Sequence, residues 1–144
     1  MTNIHIARLT SANSEIAASI SLLLKQLTSN EVLFTERELT ELINNPASTV
    51  FVLQSNCHII GILTIGCFLS PTGRKAWIED VVVDNSMRGK GYGAMLVNHA
   101  IEYVRTLAPC TLMLTSNPAR IAANELYRTR GFERKHTNVY RMQF

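Results

Sequence analysis

Apolar positions recur along this chain with two periods, and each run predicts one element. Residues 3–9 (Asn-Ile-His-Ile-Ala-Arg-Leu) alternate and predict a first strand. Ile16, Ile20, Leu23, Leu24 and Leu27 are spaced as one face of a helix over residues 12–27, which the polar stretch 28–30 ends. Thr35 followed by Glu38 has the form of a capping box, and Leu39, Leu42 and Ile43 give the helix it opens one apolar face before Asn44-Asn45-Pro46 closes it. Residues 49–54 and 59–69 are strand-like and flank Ser55-Asn56-Cys57-His58, a spacing that suits a hairpin although the turn lacks the strongest dipeptide signal. Pro71-Thr72-Gly73 then turns the chain into a β-branched strand at 77–83. Leu96, Val97, Ala100, Ile101, Val104 and Leu107 mark a helix that stops before Pro109. A strand follows at 111–115, then a helix at 118–130 with proline in its first turn and Gly131 at its C-terminal end. Residues 139–144 read as a last strand. The order β-α-α-β-β-β-α-β-α-β, without repeat or linker, predicts a single α/β domain over residues 1–144 around one mixed sheet.

Composition narrows this picture more than it adds to it. A chain of 144 residues that is 47% hydrophobic can bury a core without metal or disulfide staples, and no apolar run is long enough to span a membrane. The N-terminus lacks the basic-then-apolar order of a secretory signal, so the cytoplasm is the expected compartment. Cys57, Cys67 and Cys110 are odd in number and lack metal-ligand spacing, as do the histidines, so no metal site is expected; Cys67 and Cys110 read as small buried thiols. The net charge of +3 is too small to argue for nucleic acid. It is uneven, because residues 120–144 hold six Arg or Lys against two Glu, which suits a solvated surface or an anionic ligand. That stretch also lacks the aromatic interleaving of a single-strand binder.

The candidate chemistry lies where the strand at 77–83 meets the next helix. Arg88-Gly89-Lys90-Gly91-Tyr92-Gly93 puts three glycines in five positions just before a helix. Little side chain then separates the backbone from an approaching group, so successive N–H groups can converge on an anion, with Arg88 and Lys90 adding charge. A pyrophosphate fits this description. The loop is not the dinucleotide fingerprint, because no acidic residue ends a second strand about 20 residues on, and without Gly-Lys-Ser or Gly-Lys-Thr it is not a P-loop.

Val81-Val82-Val83, four residues, then Arg88-x-x-Gly91-x-Gly93 resembles the acetyl-CoA signature of the GCN5-related N-acetyltransferase (GNAT) family. Ala123-x-x-Leu126-Tyr127-x-x-x-Gly131-Phe132 resembles the family's second motif, with a helix and a strand between the two. The resemblance covers essentially the whole chain. It implies a GNAT-like α+β fold, a mixed, mostly antiparallel sheet flanked by helices, and acetyl-CoA as cosubstrate without a metal. It further implies that Val81, Val82 and Val83 hold the pantetheine arm through main-chain groups, that an N–H at Val81 polarises the thioester carbonyl, and that the backbone of Arg88, Gly89, Lys90, Gly91, Tyr92 and Gly93 carries the pyrophosphate. Tyr127 matches the tyrosine that protonates the leaving thiolate.

Amine acetylation also needs a base, since a free alkylammonium has a pKa of about 10.4. Glu79 and Asp80 precede Val81, and adjacent strand residues face opposite sides, so at most one is expected to point into the cleft. The resemblance to polyamine and glucosamine-phosphate acetyltransferases favours Glu79 as base and Asp80 beside the substrate amine, against the plain alternative of two solvated carboxylates. One position departs from the family pattern: many members carry asparagine seven residues before the tyrosine, where this chain has Arg120. Asn124 and Asn117 are nearby substitutes out of register, and Asn124 is the candidate coenzyme contact. In this fold residues 28–34 and 135–138 wall the acceptor side, the first offering Asn30 and Glu31, the second Lys135 and His136, which suits an anionic amine. The expectation is an N-acetyltransferase acting on a small-molecule primary amine in a ternary complex. A protein acetyltransferase, a non-catalytic acyl-CoA-binding module and, last, a nucleic-acid binder are its rivals. The apolar end at 139–144 permits a homodimer.

Overall fold

The computed structural model describes all of residues 1–144. The elements are β1 (Ile4–Arg8), α1 (Ser14–Leu27), α2 (Glu36–Asn44), β2 (Ser48–Ser55), β3 (His58–Ser70), β4 (Gly73–Val83), α3 (Tyr92–Arg105), β5 (Thr111–Met113) and α4 (Ile121–Thr129), with a 3-10 turn at Asn85–Met87. The sheet order is β1-β2-β3-β4-β5. Only β4 and β5 run parallel, and α3 supplies the crossover that a parallel pair requires. No helix is long and apolar enough to cross a membrane, and no three His, Cys, Asp or Glu side chains cluster as metal ligands.

The helix signals work locally as expected. Asn13 Oδ1 accepts from the Ile16 N–H at 2.8 Å to start α1. Thr35 and Glu38 form the capping box of α2, whose Leu39 is fully buried. The β2–β3 hairpin turns on Asn56 and Cys57, both at positive φ, the backbone that two-residue hairpin loops demand.

Helices cover both faces of the sheet. Under α1 and α2 lie Val52, Ile62 and Val82, packed with Ile20, Leu23 and Leu39. Under α3 and α4 lie Leu63, Ile65, Ala76, Ile78 and Val83, packed with Leu96, Val97 and Tyr127. Strand β4 changes parity between these layers. Ile78 is paired with Ile65 on the α3 side, and Glu79 with Thr64; past a bulge, Val82 is paired with Ile62 on the α1 side. Two residues, Asp80 and Val81, thus oppose the single Leu63, and Asp80 takes a φ of +52°. Without this insertion the two outer valines would face the wrong helix.

Three expectations need correction. Residues 139–144 form no strand: Val139, Tyr140, Met142 and Phe144 are all exposed, because β5 has only three residues and no ladder extends to the tail. Alternation marks a segment able to pair, and burial comes only with a partner edge. Helix α4 starts at Ile121 rather than at Pro118, since Asn117 Oδ1 accepts from the Ala119 N–H at 2.8 Å and holds a separate turn before the helix. Cys67 and Cys110 are half-buried rather than enclosed, and burial is the main cause that raises the Cys110 thiol pKa.

Candidate active site

The end of β4 is braced before the glycine loop begins. Asp84 caps the 3-10 turn by accepting from the Ser86 hydroxyl at 2.7 Å and the Ser86 N–H at 2.9 Å, and these bonds, the hydroxyl first, lower its pKa. Gln26, near the end of α1, accepts from the Asn85 N–H at 2.7 Å and reaches Asp84 Oδ2 at 3.5 Å. Arg88 Nε donates to the Val83 carbonyl at 3.2 Å, folding the guanidinium back over the strand end.

Beyond that brace the backbone is open. The N–H groups of residues 89–94 donate to no group of the chain; the first bond of α3 runs from Met95 N to the Gly91 carbonyl. Gly91 caps the helix at φ +82°, ψ 10°, without a side-chain cap, and Gly89 has φ +79°. Only glycine takes this backbone without strain. A Cβ built on Gly89, Gly91 or Gly93 meets nothing within 4 Å, so open space lies beside a row of unbonded donors at a positive helix end.

This row floors a cavity of about 590 Å³. Val81, Val82 and Val83 form one wall, Ala122, Ala123, Leu126 and Tyr127 of α4 face them, and Gln26 and Leu27 close the α1 end. Arg88 and Arg120 are the charged groups of the lining, and no carboxylate is among them. Tyr127 is 8% exposed and packs edge-on to Phe132 at 6.0 Å. Its hydroxyl finds no partner in the chain; burial raises its pKa while the nearby Arg120 charge opposes the shift, so it stays a donor at neutral pH.

A second cavity of about 390 Å³ lies under α1 and α2 and shares Leu27 with the first. Its one charged lining residue is Asp80, adjacent to Val81 of the first cavity. Glu79 lines neither cavity but shares the sheet face of Thr64, which does. The expectation that alternation would turn Glu79 and Asp80 to opposite sides fails because the bulge intervenes: both serve the α1 side. Burial, then the charge of Asp80, raises the Glu79 pKa. Neither carboxylate has a hydrogen-bond or ion-pair partner in the chain.

Of the residues singled out from sequence, Val81, Val82, Val83, Arg88, Gly89, Gly91, Tyr92, Gly93 and Tyr127 converge on the first cavity and Asp80 on the second. Lys90 stands outside, its Nζ 3.9 Å from Met87 Sδ. Asn124 is also outside the lining and donates to the Asn117 carbonyl at 3.0 Å, which secures the turn before α4. Lys135 and His136, expected at the acceptor side, line neither of these two cavities. Sequence reasoning missed Gln26, whose partners lie 58 and 59 residues away and leave no local signal. It also missed Ala94, Ala122 and Leu27 as walls, although small residues on the helix faces beside a glycine loop are a readable sign of close approach.

Residues 19–132 match the family model of the acetyltransferase (GNAT) family. An uncharacterized N-acetyltransferase from Methanocaldococcus jannaschii is 32% identical over 88 residues, which are 59% of this chain and 39% of that protein, so the match spans well under half of that relative. Among solved structures, an aminoglycoside acetyltransferase from an uncultured soil metagenomic sample, in complex with sisomicin, superposes with a TM-score of 0.84 at 18% identity, covering 98% of this chain and 97% of that one. The glucosamine-6-phosphate N-acetyltransferase of Arabidopsis thaliana gives 0.81 at 20% identity, covering 97% and 98%. These two likenesses speak to the fold, while the family model, which spans most of the chain and both of its motifs, speaks to descent: this chain belongs to the GNAT family of acetyltransferases.

Proposed function

We propose that this acyltransferase moves the acetyl group of acetyl-CoA to the primary amine of a small molecule by direct attack within a ternary complex. The observation that carries the reading is the meeting of two unlike cavities at the β4 bulge. One is cationic and floored by free amides; the other holds a lone carboxylate; Asp80 and Val81 are consecutive. The row of N–H groups at residues 89–94 fits a pyrophosphate, since none of them is bonded within the chain and Gly89, Gly91 and Gly93 leave open space beside the backbone. The apolar wall of Val81, Val83, Ala123 and Leu126 suits the pantetheine arm.

In this reading the Val81 N–H, where ladder pairing lapses at the bulge, donates to the thioester oxygen and stabilises the negative charge that grows there. Asp80 holds the incoming ammonium. Glu79, directly or through a water, takes the proton that the amine loses, and its raised pKa brings it closer to the operating range of a base. As the new C–N bond forms and the C–S bond breaks, the Tyr127 hydroxyl donates to the departing sulfur. A thiol with a pKa near 8.5 is the stronger acid, so the hydrogen bond to the growing thiolate does most of the stabilising. No residue of the chain needs to carry the acetyl group.

The test is two-substrate kinetics. Initial velocities of coenzyme A release, varied in acetyl-CoA and amine together, are expected to give intersecting double-reciprocal lines. Parallel lines would mean an acetylated enzyme and would contradict direct attack.

A further inference from the structure

We infer that the acceptor is a primary amine on an uncharged hydrocarbon body, of the aryl-alkyl or alkylamine type, rather than an amino sugar or a phosphorylated amine. This inference rests on the acetyl-transfer reading and specifies its second substrate. The cavity beside Asp80 measures about 390 Å³, at the small end of ligand sites, which run roughly from 300 to 1,000 Å³. Eight of its eleven lining residues are hydrophobic, among them Leu24, Leu27, Val32, Phe34 and Leu42, and no Lys, Arg or His is present. A phosphate or carboxylate on the acceptor would therefore enter without a counter-charge. The hydroxyls of a sugar would meet alkyl walls, with only Thr28 and Thr64 to bond them, and a polar group buried without a partner is disfavoured.

What the cavity does offer is one anion, the exposed Asp80, in its lining. Asp80 sits at φ +52°, a backbone region uncommon for any residue but glycine. It has no partner in the chain, so its carboxylate is available to an ammonium. The wall is also secured: the Ser21 hydroxyl donates to the Phe34 carbonyl at 2.6 Å and ties the segment between the two helices to α1. An amine head at Asp80 thus directs its body between α1 and Phe34, where water gives way to apolar contact.

The inference is tested by coenzyme A release across n-butylamine, n-pentylamine, n-hexylamine and 2-phenylethylamine, with glucosamine 6-phosphate and sisomicin as polar probes. Acetyl-CoA affinity is measured by calorimetry on the same samples. The expected result is a kcat/KM that rises about three- to fourfold per added methylene, and is highest for the hydrocarbon amines. In Val32→Ser, at the exposed rim, the rise per methylene is expected to flatten. In Asp80→Asn, kcat/KM is expected to fall about tenfold for every alkylamine alike, with the methylene increment kept. A protein that binds acetyl-CoA yet turns over glucosamine 6-phosphate or sisomicin as well as hexylamine, or shows no gain with chain length, overturns this inference and leaves acetyl transfer standing. Failure to bind acetyl-CoA overturns the transfer reading itself.

Discussion

Two alanine substitutions in the glycine loop separate what the loop does for the fold from what it does for the ligand. Gly91 occupies the left-handed region at φ +82°, and a Cβ there meets nothing within 4 Å. The cost of Gly91→Ala is therefore conformational, about 1–2 kcal/mol, without a steric addition. For a domain of this size that is a drop in Tm of roughly 2–8 °C. Gly93 lies inside the first turn of α3 with ordinary backbone and equally open space, so Gly93→Ala leaves stability unchanged or raises it by up to about 1 kcal/mol. Both positions line the cationic cavity, however, and in both a methyl group would stand between free N–H groups and an anion. Loss of one charge-assisted bond of about 1.5–3 kcal/mol lowers acetyl-CoA affinity roughly ten- to hundredfold. Thermal melts and calorimetric titrations of the two variants are thus expected to disagree: a lower Tm in Gly91→Ala alone, and parallel losses of affinity in both. Wild-type affinity in Gly93→Ala would refute the assignment of the loop amides to the pyrophosphate.

Three further expectations follow from the same geometry. Tyr127→Phe keeps the buried ring and its edge-on contact with Phe132, so melting is unchanged, while kcat falls about a hundredfold with acetyl-CoA affinity intact; a kcat within a factor of three would remove the hydroxyl from the mechanism. Glu79 has a folded pKa above its unfolded value, so between the two the native state binds more protons and stability falls as pH rises through that window. Glu79→Gln is therefore expected to raise Tm relative to wild type more at pH 8 than at pH 4, and to abolish the rise of kcat/KM with pH through the shifted pKa; an unchanged profile would assign the base elsewhere. Gln26→Ala removes the brace on Asn85 and Asp84, with a stability loss of about 0.5–1.5 kcal/mol by denaturant titration and a weaker acetyl-CoA site; wild-type values for both would show that the strand end holds its shape alone.

Much of this was legible before any coordinates. The capping box at Thr35 and Glu38, the helical stripe ending at Leu27 and the glycine loop before α3 are set by neighbours in sequence, and each appears where local chemistry puts it. Tyr127 reached the cavity because its motif lies on an amphipathic helix whose inner face is fixed by periodicity. Where the reading failed, the cause was either a long-range pairing or a local side-chain bond that competed with the expected role. The Asp80 bulge arises from registry with Ile62 and Thr64, so nothing in Glu-Asp-Val-Val-Val announces it, and the alternation argument broke at that residue. Residues 139–144 alternate as a strand does, yet no edge takes them up. Lys90 and Asn124 have suitable chemistry at suitable spacing, but one side chain lies against Met87 and the other closes a turn. The basic segment at 135–138 lines neither cavity, and the second cavity is walled by apolar residues of α1, α2 and the sheet, because a cavity is a property of packed elements and not of a charge run.

The most direct test of the account is amine-dependent coenzyme A release from acetyl-CoA, with 2-phenylethylamine as acceptor and the acetylated product identified by mass. The account predicts release only when both substrates are present, one N-acetylated amine formed per coenzyme A, and a strong loss in Tyr127→Phe. Release at the same rate without amine, or no release from a protein that binds both compounds, would contradict it.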